Sequence, residues 1–170
     1  MGYSHYLTHT EVTKEVWSKI LKDCRKLYKN MPQHTDTAGG YSAEDVLQLG
    51  TWDGQKPLKT LGDKNIISFN GYPDPLDHET FNLHQAGSNG FSCCKTARKP
   101  YDLMVCACLI VYCFHSRETM DLGSDGDWDD WAPAMTFVEE VLGAQYSMKF
   151  KMEQECAVFD EVQDRTRILN

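Results

Sequence analysis

The feature that most limits how this chain can fold is an apolar stretch between Pro100 and His115. It contains no charged residue after Asp102, and its hydrophobic side chains cover every side of a helix. Other elements must enclose such a helix, and Pro100 suits its first position. The 12 residues 103–114 are fewer than the roughly 20 that span a bilayer. The stretch therefore predicts a central, fully buried helix.

An amphipathic helix is predicted before it, from Thr13 to about Tyr28. Apolar residues recur there at helical spacing, and lysines and an arginine cover the opposite side. The preceding Thr8 and Thr10 are candidate N-caps. We therefore expect a surface helix that packs one face on the core.

A third helix is predicted to follow an acidic run, with Asp127 as its N-cap and Gly143 as its C-cap. Acids recur at alternate positions of the run, as in a calcium-binding loop. Asp130 and Thr136 stand where such a loop needs glycine and glutamate, so helix capping is favoured. The predicted apolar side consists of Trp128, Trp131, Met135, Val138 and Leu142.

Short strands are predicted near the N-terminus and over residues 65–71, 78–84, 118–122 and 146–152. Strands 65–71 and 78–84 are expected to be antiparallel neighbours, and a helix running to residue 162 is the alternative for the last segment. The 170 residues, 41% of them hydrophobic, fit one α+β domain over 1–170. We expect a mainly antiparallel sheet against about three helices. A long irregular connection is predicted at 30–64, with a helical turn at 43–49, and an extension at 144–170.

Composition excludes several classes of function. A formal charge of −8 opposes general binding to nucleic acid or to an anionic membrane. Six histidines and seven cysteines show no zinc-ligand spacing, and no signal peptide is apparent, so we expect reduced thiols, no metal ion and a cytoplasmic protein. The usual hydrolase, phosphate-loop and dinucleotide motifs are missing. These observations predict neither a cofactor nor a catalytic group.

The most informative cluster is basic and precedes the buried helix. Lys95, Arg98 and Lys99 are concentrated before a helix N-terminus, which itself carries about half a positive charge. An anion is therefore expected among them. It is either a phosphate or carboxylate ligand, held by Arg98 and the lysines with Thr96 as a donor, or one of the protein's own acids. A third alternative combines the two, with internal carboxylates orienting the cations around a bound anion. The obvious internal candidates are Asp125, Asp127, Asp129 and Asp130.

Three segments of the chain resemble a family of small hypothetical proteins from tailed phages and bacteria. They are the start MGYxHY, the motif FxxCKTARKPYD and the motif SDGDWxxW, and the likeness spans Met1 to Gly143. The second cysteine of Cys93 and Cys94 and the longer tail depart from the family pattern. The resemblance implies one site made of Lys95, Thr96, Arg98, Lys99, Tyr101, Asp102, Ser124, Asp125 and Asp127. Six aromatic or imidazole rings could stack a planar group: Tyr3, His5, Tyr6, Tyr101, Trp128 and Trp131. Of these, Tyr3, His5 and Trp128 are added to the site.

From these features we expect a phage-type protein that binds a phosphorylated small molecule. By analogy with small phage proteins, it would sequester a nucleotide signal of host defence in the host cytoplasm. One alternative is a phosphoesterase or nucleotide hydrolase. Another is an acidic interaction module, with aspartates and tryptophans at 125–131, that inhibits a host protein. A homo-oligomer with the ligand between subunits is left open.

Overall fold

A computed structural model describes residues 2–34, 46–88, 90–116 and 120–150 of the chain. Within them the chain forms a single α+β domain, as predicted. Its strands are β1 (Ser4–His9), β2 (Leu49–Gly50), β3 (Ile66–Gly71), β4 (Phe81–His84), β5 (Ser92–Lys95) and β6 (Met120–Ser124). Its helices are α1 (Lys14–Lys29), α2 (Asp102–Ser116) and α3 (Trp128–Leu142), and residues 145–150 form a further helical segment.

Two antiparallel three-stranded sheets organise the described residues. The first sheet has the order β5-β1-β6, with β1 in the centre, and the second has the order β2-β3-β4. In the first sheet His5 lies opposite Cys94 on one side and opposite Ser124 on the other. In the second sheet the predicted pairing of neighbouring antiparallel strands is confirmed, since Ile66 pairs with His84.

Helix α2 is the centre of the fold, as its composition predicts. Every residue from Leu103 to Cys113 is buried, and the helix packs against both α1 and α3. Side chains from both sheets join the same core, including Leu7 of β1 and Phe69 of β3. No helix among the described residues combines the length and apolar character needed to cross a membrane.

The other two helices begin where the chain supplies an N-cap. Thr13 caps α1 through its side chain, which accepts from the Val16 N–H, so the cap lies later than the predicted Thr8 and Thr10. Asp127 caps α3 and forms a reciprocal capping box with Asp130, as the acidic run predicts. The predicted C-cap at Gly143 is also confirmed.

Several sequence predictions are corrected by the structure. The strands divide between two sheets, although one sheet was expected. Strand β5 was not predicted, and residues 145–150 are helical where a strand was favoured. Trp128 was expected on the apolar side of α3, yet it is 40% exposed because the buried side runs through Trp131, Ala134 and Phe137.

Other predictions fall partly outside the described residues. The predicted strand 118–122 corresponds to β6, whose described part begins at Met120. The helical turn predicted at 43–49 meets the described chain only from Val46, where a bridge to His34 and strand β2 are found. Residues 151–170 of the predicted extension lie outside it.

Candidate functional site

The predicted site residues meet where two turns lie beside the start of β1. One turn joins β5 to α2 and carries the basic motif, and the other joins β6 to α3 and carries the acidic run. The backbone ties both turns to β1: Tyr3 O accepts from the N–H groups of Thr96 and Ala97, and Ser4 O accepts from that of Asp125. Three segments far apart in sequence are thereby held together.

At the centre of this junction lies His5, which has no exposed surface. Its Nε2 is 2.8 Å from Asp102 Oδ1, and its Nδ1 is 3.1 Å from Ser124 Oγ. The buried Thr96 hydroxyl donates to the same Asp102 oxygen at 2.6 Å, and Gly126 N–H donates to Ser124 Oγ at 3.0 Å. Both ring nitrogens of the histidine therefore have partners, as a buried polar group requires.

The thiol of Cys106 adds a sulfur atom to this cluster. It lies one turn after Asp102 on α2, 3.5 Å from His5 Nε2 and 3.7 Å from Asp102 Oδ2. Burial and the neighbouring Asp102 raise the pKa of the Cys106 thiol well above its ordinary value. The imidazole is further fixed by edge-on contacts with Tyr3 and Trp131. These contacts hold the donor atoms of His5, Asp102 and Cys106 within 4.8 Å of one another.

Tyr3 covers the cluster from the N-terminal side. Its hydroxyl is buried and has no hydrogen-bond partner among the described residues. Burial, together with the nearby Asp102, raises the pKa of Tyr3. The Arg98 guanidinium lies 4.1 Å from the centre of the Tyr3 ring, a cation–π contact that packs the basic turn on the cluster.

The anion expected beside the cations is, for Arg98, an internal acid. Asp130 accepts from Arg98 Nε at 3.2 Å and Nη2 at 3.1 Å, a bidentate ion pair. Both Ala97 and Arg98 adopt left-handed backbone conformations, with φ of 52° and 57°, which places the guanidinium over Tyr3. Two such residues in succession are strained for non-glycine side chains. Lys99 donates to the Pro75 carbonyl.

The opposite face of the first sheet carries a different set of groups. Tyr6 points outward from β1 and stacks on Phe91, with ring centres 5.8 Å apart. Its hydroxyl donates to Asp125 Oδ1 at 2.9 Å, which raises the pKa of Tyr6. Lys95 lies on the same face. Its ammonium group forms no salt bridge with the residues that the structure describes. We call Phe91, Tyr6 and Lys95 the outer platform.

The structure thus separates the predicted site residues into groups. The junction holds Thr96, Arg98, Asp102, Ser124, Tyr3 and His5 together, with Asp127 capping α3 beside them. Lys95 and Asp125 belong to the outer face. Tyr101 is fully buried and donates to the Glu79 carbonyl at 2.7 Å, and the Trp128 ring contacts Phe150.

Sequence reasoning missed two residues that the structure brings to these groups. Phe91 was not proposed as a stacking surface, and Cys106 was assigned to the core alone. Tyr6 and Trp131 were named as aromatic candidates, but the alternation of β1 places Tyr6 on the face opposite to His5. Trp131 is buried and contacts His5 edge-on.

The acidic run takes part in the fold while three of its carboxylates stay on the surface. Asp127 and Asp130 form the capping box, Asp130 also binds Arg98, and Asp125 accepts from the Ser4 N–H at 3.0 Å. Asp125, Asp127 and Asp129 are exposed.

Comparisons with models of known protein families, with curated proteins and with solved structures find no significant match to this chain.

Proposed function

We propose that the protein binds a phosphorylated small molecule with a planar ring, a nucleotide in its simplest form, on the outer platform. The observation that carries this proposal is the stacked pair of the exposed Phe91 and the half-buried Tyr6 beside Lys95, an ammonium group without a salt bridge among the described residues. The aromatic pair offers stacking, and the ammonium offers charge for a phosphate.

The strand register supports the spacing that such a ligand needs. Tyr6 lies opposite Cys93, and Lys95 lies two residues farther along the same strand, on the same face. Diagonal neighbours of this kind are about 7–8 Å apart, roughly the span of a nucleoside between base and phosphate. A base on the aromatic pair would therefore place its phosphate near the ammonium.

The shape of the platform also favours a flat ligand. Phe91 is 69% exposed, so part of its ring is open to stacking. On the other side of β1, Gly123 lies opposite Tyr6 and adds no side chain that would stand above the sheet. A planar group would therefore meet little steric hindrance.

Charged groups lie on both sides of β1. The carboxylate of Asp125 lies beyond β6, and Lys95 lies on β5, where its backbone N–H donates to the Glu79 carboxylate at 2.7 Å. A phosphate would be attracted by the Lys95 ammonium and repelled by both carboxylates. The Asp125 side is suited to donors of the ligand, such as sugar hydroxyl or base amino groups.

Binding without turnover fits this location better than hydrolysis does. The serine, histidine and aspartate that could move a proton are Ser124, His5 and Asp102, and the imidazole is fully buried on the inner side of the sheet. A ligand on the outer platform does not reach it. Together with the resemblance to small phage proteins, this favours sequestration of a nucleotide signal.

The test is calorimetric titration with ribonucleoside monophosphates and cyclic dinucleotides, with adenosine and inorganic phosphate as partial ligands. At least one nucleotide should bind more tightly than either partial ligand. Phe91→Ala should weaken binding about tenfold or more, since stacking contributes about 1–3 kcal/mol per base. Lys95→Gln should weaken it about tenfold, as expected for a charged hydrogen bond of about 1.5 kcal/mol.

Matched controls lie elsewhere on the surface. Trp52→Ala removes another exposed aromatic ring, after β2, and Lys22→Gln removes an exposed lysine of α1, so neither should change the affinity. Equal binding by all four variants, or no binding of any nucleotide, would refute the proposal. Chromatography of the mixture should return the nucleotide unchanged, and a converted product would favour the hydrolase instead.

A further inference from the structure

We propose that His5, Asp102 and Cys106 form a binding site for a divalent transition-metal ion, with zinc as the ion that the donor set fits best. The three residues supply a nitrogen, an oxygen and a sulfur atom, all within 4.8 Å of one another. Imidazole, carboxylate and thiolate are the ligands that zinc takes in proteins. The site lies on the inner side of the first sheet and is independent of the outer platform.

The donor separations are close to those around a tetrahedral ion. With Zn–N near 2.0 Å and Zn–S near 2.3 Å, the sulfur and nitrogen ligands stand about 3.5 Å apart, and nitrogen and oxygen about 3.3 Å. The observed separations are 3.5 Å from Cys106 Sγ to His5 Nε2 and 2.8 Å from that nitrogen to Asp102 Oδ1. The sulfur is 3.7 Å from Asp102 Oδ2. A small outward shift of the carboxylate would admit the ion.

The fold already orients the ligands as a metal site requires. Histidine ligands of zinc bind through one ring nitrogen, and a hydrogen bond at the other nitrogen fixes the tautomer. Ser124 Oγ occupies that second position, at Nδ1 of His5, and Thr96 holds the carboxylate of Asp102. Asp102 and Cys106 are four residues apart on α2, so both donors lie on one side of the helix.

The charges of the bound site would balance. With an ion in place, the Cys106 thiol would give up its proton, and the resulting thiolate and the Asp102 carboxylate would carry two negative charges that a divalent ion neutralises. The neighbouring Arg98 is already paired with Asp130.

The experiment uses the full chain, stripped with a chelator and titrated with Co²⁺ as a spectroscopic probe and then with Zn²⁺. We expect one ion per chain, tetrahedral d–d absorption, and a thiolate-to-cobalt charge-transfer band that Zn²⁺ abolishes by displacement. Cys106→Ser should remove the charge-transfer band. The matched control is Cys108→Ser, another buried cysteine of α2 outside the cluster, which should keep it.

Two further variants keep the proposal falsifiable if Cys106→Ser fails to fold. Asp102→Asn should lower the affinity for Co²⁺ while the charge-transfer band persists at saturation. Ser124→Ala should weaken binding about tenfold to a hundredfold, as loss of an orienting partner does. Absence of the charge-transfer band in the wild-type protein, or equal loss of it in Cys106→Ser and Cys108→Ser, would overturn the proposal.

Discussion

The two faces of the first sheet satisfy their polar groups in opposite ways. On the inner face, His5 and Asp102 are bound to other side chains and enclosed by the core. On the outer face, Phe91 is exposed and Lys95 has no salt bridge among the described residues. A single strand, β1, supplies both faces through its alternation. The inner residues are therefore expected to dominate stability, and the outer residues to dominate binding.

Removing the inner carboxylate should have the largest effect on stability. Asp102→Ala leaves His5 and the buried Thr96 hydroxyl without their acceptor, so we expect a loss of about 3 kcal/mol in the free energy of unfolding. The outer counterpart is Asp125→Ala, which removes exposed hydrogen bonds to Tyr6 and Ser4 and should cost less than about 1 kcal/mol. Urea unfolding measures both. Similar losses for the two variants would contradict the contrast between the faces.

A subtler change isolates one hydrogen bond of the inner network. Thr96→Val keeps the shape of a buried side chain and removes the hydroxyl that donates to Asp102 at 2.6 Å. Loss of a hydrogen bond to a charged group should reduce stability by about 1.5 kcal/mol. Thr8→Val, at an exposed position of β1, should be nearly neutral in the same denaturation series. If Thr96→Val is as nearly neutral as Thr8→Val, the Thr96 hydroxyl contributes little to the free energy of unfolding.

Local chemistry explains how much of this fold could be predicted from sequence. Helix α2 was predicted because twelve successive apolar residues fit only a buried helix, whatever the rest of the chain does. Strand β5 was missed because Ser92–Lys95 lacks β-branched or aromatic residues, and its pairing with β1 imposes the strand instead. The segment 145–150 alternates in polarity like a strand, yet it is helical and buries Tyr146 and Phe150. Tertiary packing overrode the local pattern in both cases.

The same division holds for the candidate site. The charge argument predicted an anion beside Arg98, but only the structure shows that it is Asp130, 32 residues away. His5 and Asp102 are 97 residues apart, so no local motif could reveal that they meet or that Cys106 joins them. The sequence also did not show which rings are exposed. Tyr3, His5 and Tyr6 were all proposed for stacking, yet Tyr3 and His5 are buried, whereas the half-buried Tyr6 stacks on the exposed Phe91.

A pH-dependent contribution is expected from another inner residue of β1. His9 donates from Nε2 to the His84 carbonyl at 3.1 Å, and burial lowers its pKa below the ordinary 6.5. The unfolded chain therefore binds a proton more readily than the folded one as pH falls below about 6.5, so stability is full above that pH and declines below it.

Denaturation at about pH 7.5 and 5.5 brackets this window. The wild-type protein should lose more stability between the two values than His9→Gln, whose side-chain amide can donate to the same carbonyl but does not titrate. Parallel losses in both proteins would assign the pH dependence to other groups.

The smallest effect is expected at the turn that holds Arg98 over Tyr3. Ala97 has a φ of 52°, a left-handed conformation that costs an L-residue about 1–2 kcal/mol and glycine almost nothing. Ala97→Gly should therefore raise stability by about 0.5 kcal/mol, after the entropy that glycine loses on folding. The matched control is Ala107→Gly in the middle of α2, which should lower stability by about 1 kcal/mol or more. A loss at both positions would mean that packing of the Ala97 methyl outweighs the strain of the turn, and that the basic motif is held by its contacts on the inner face.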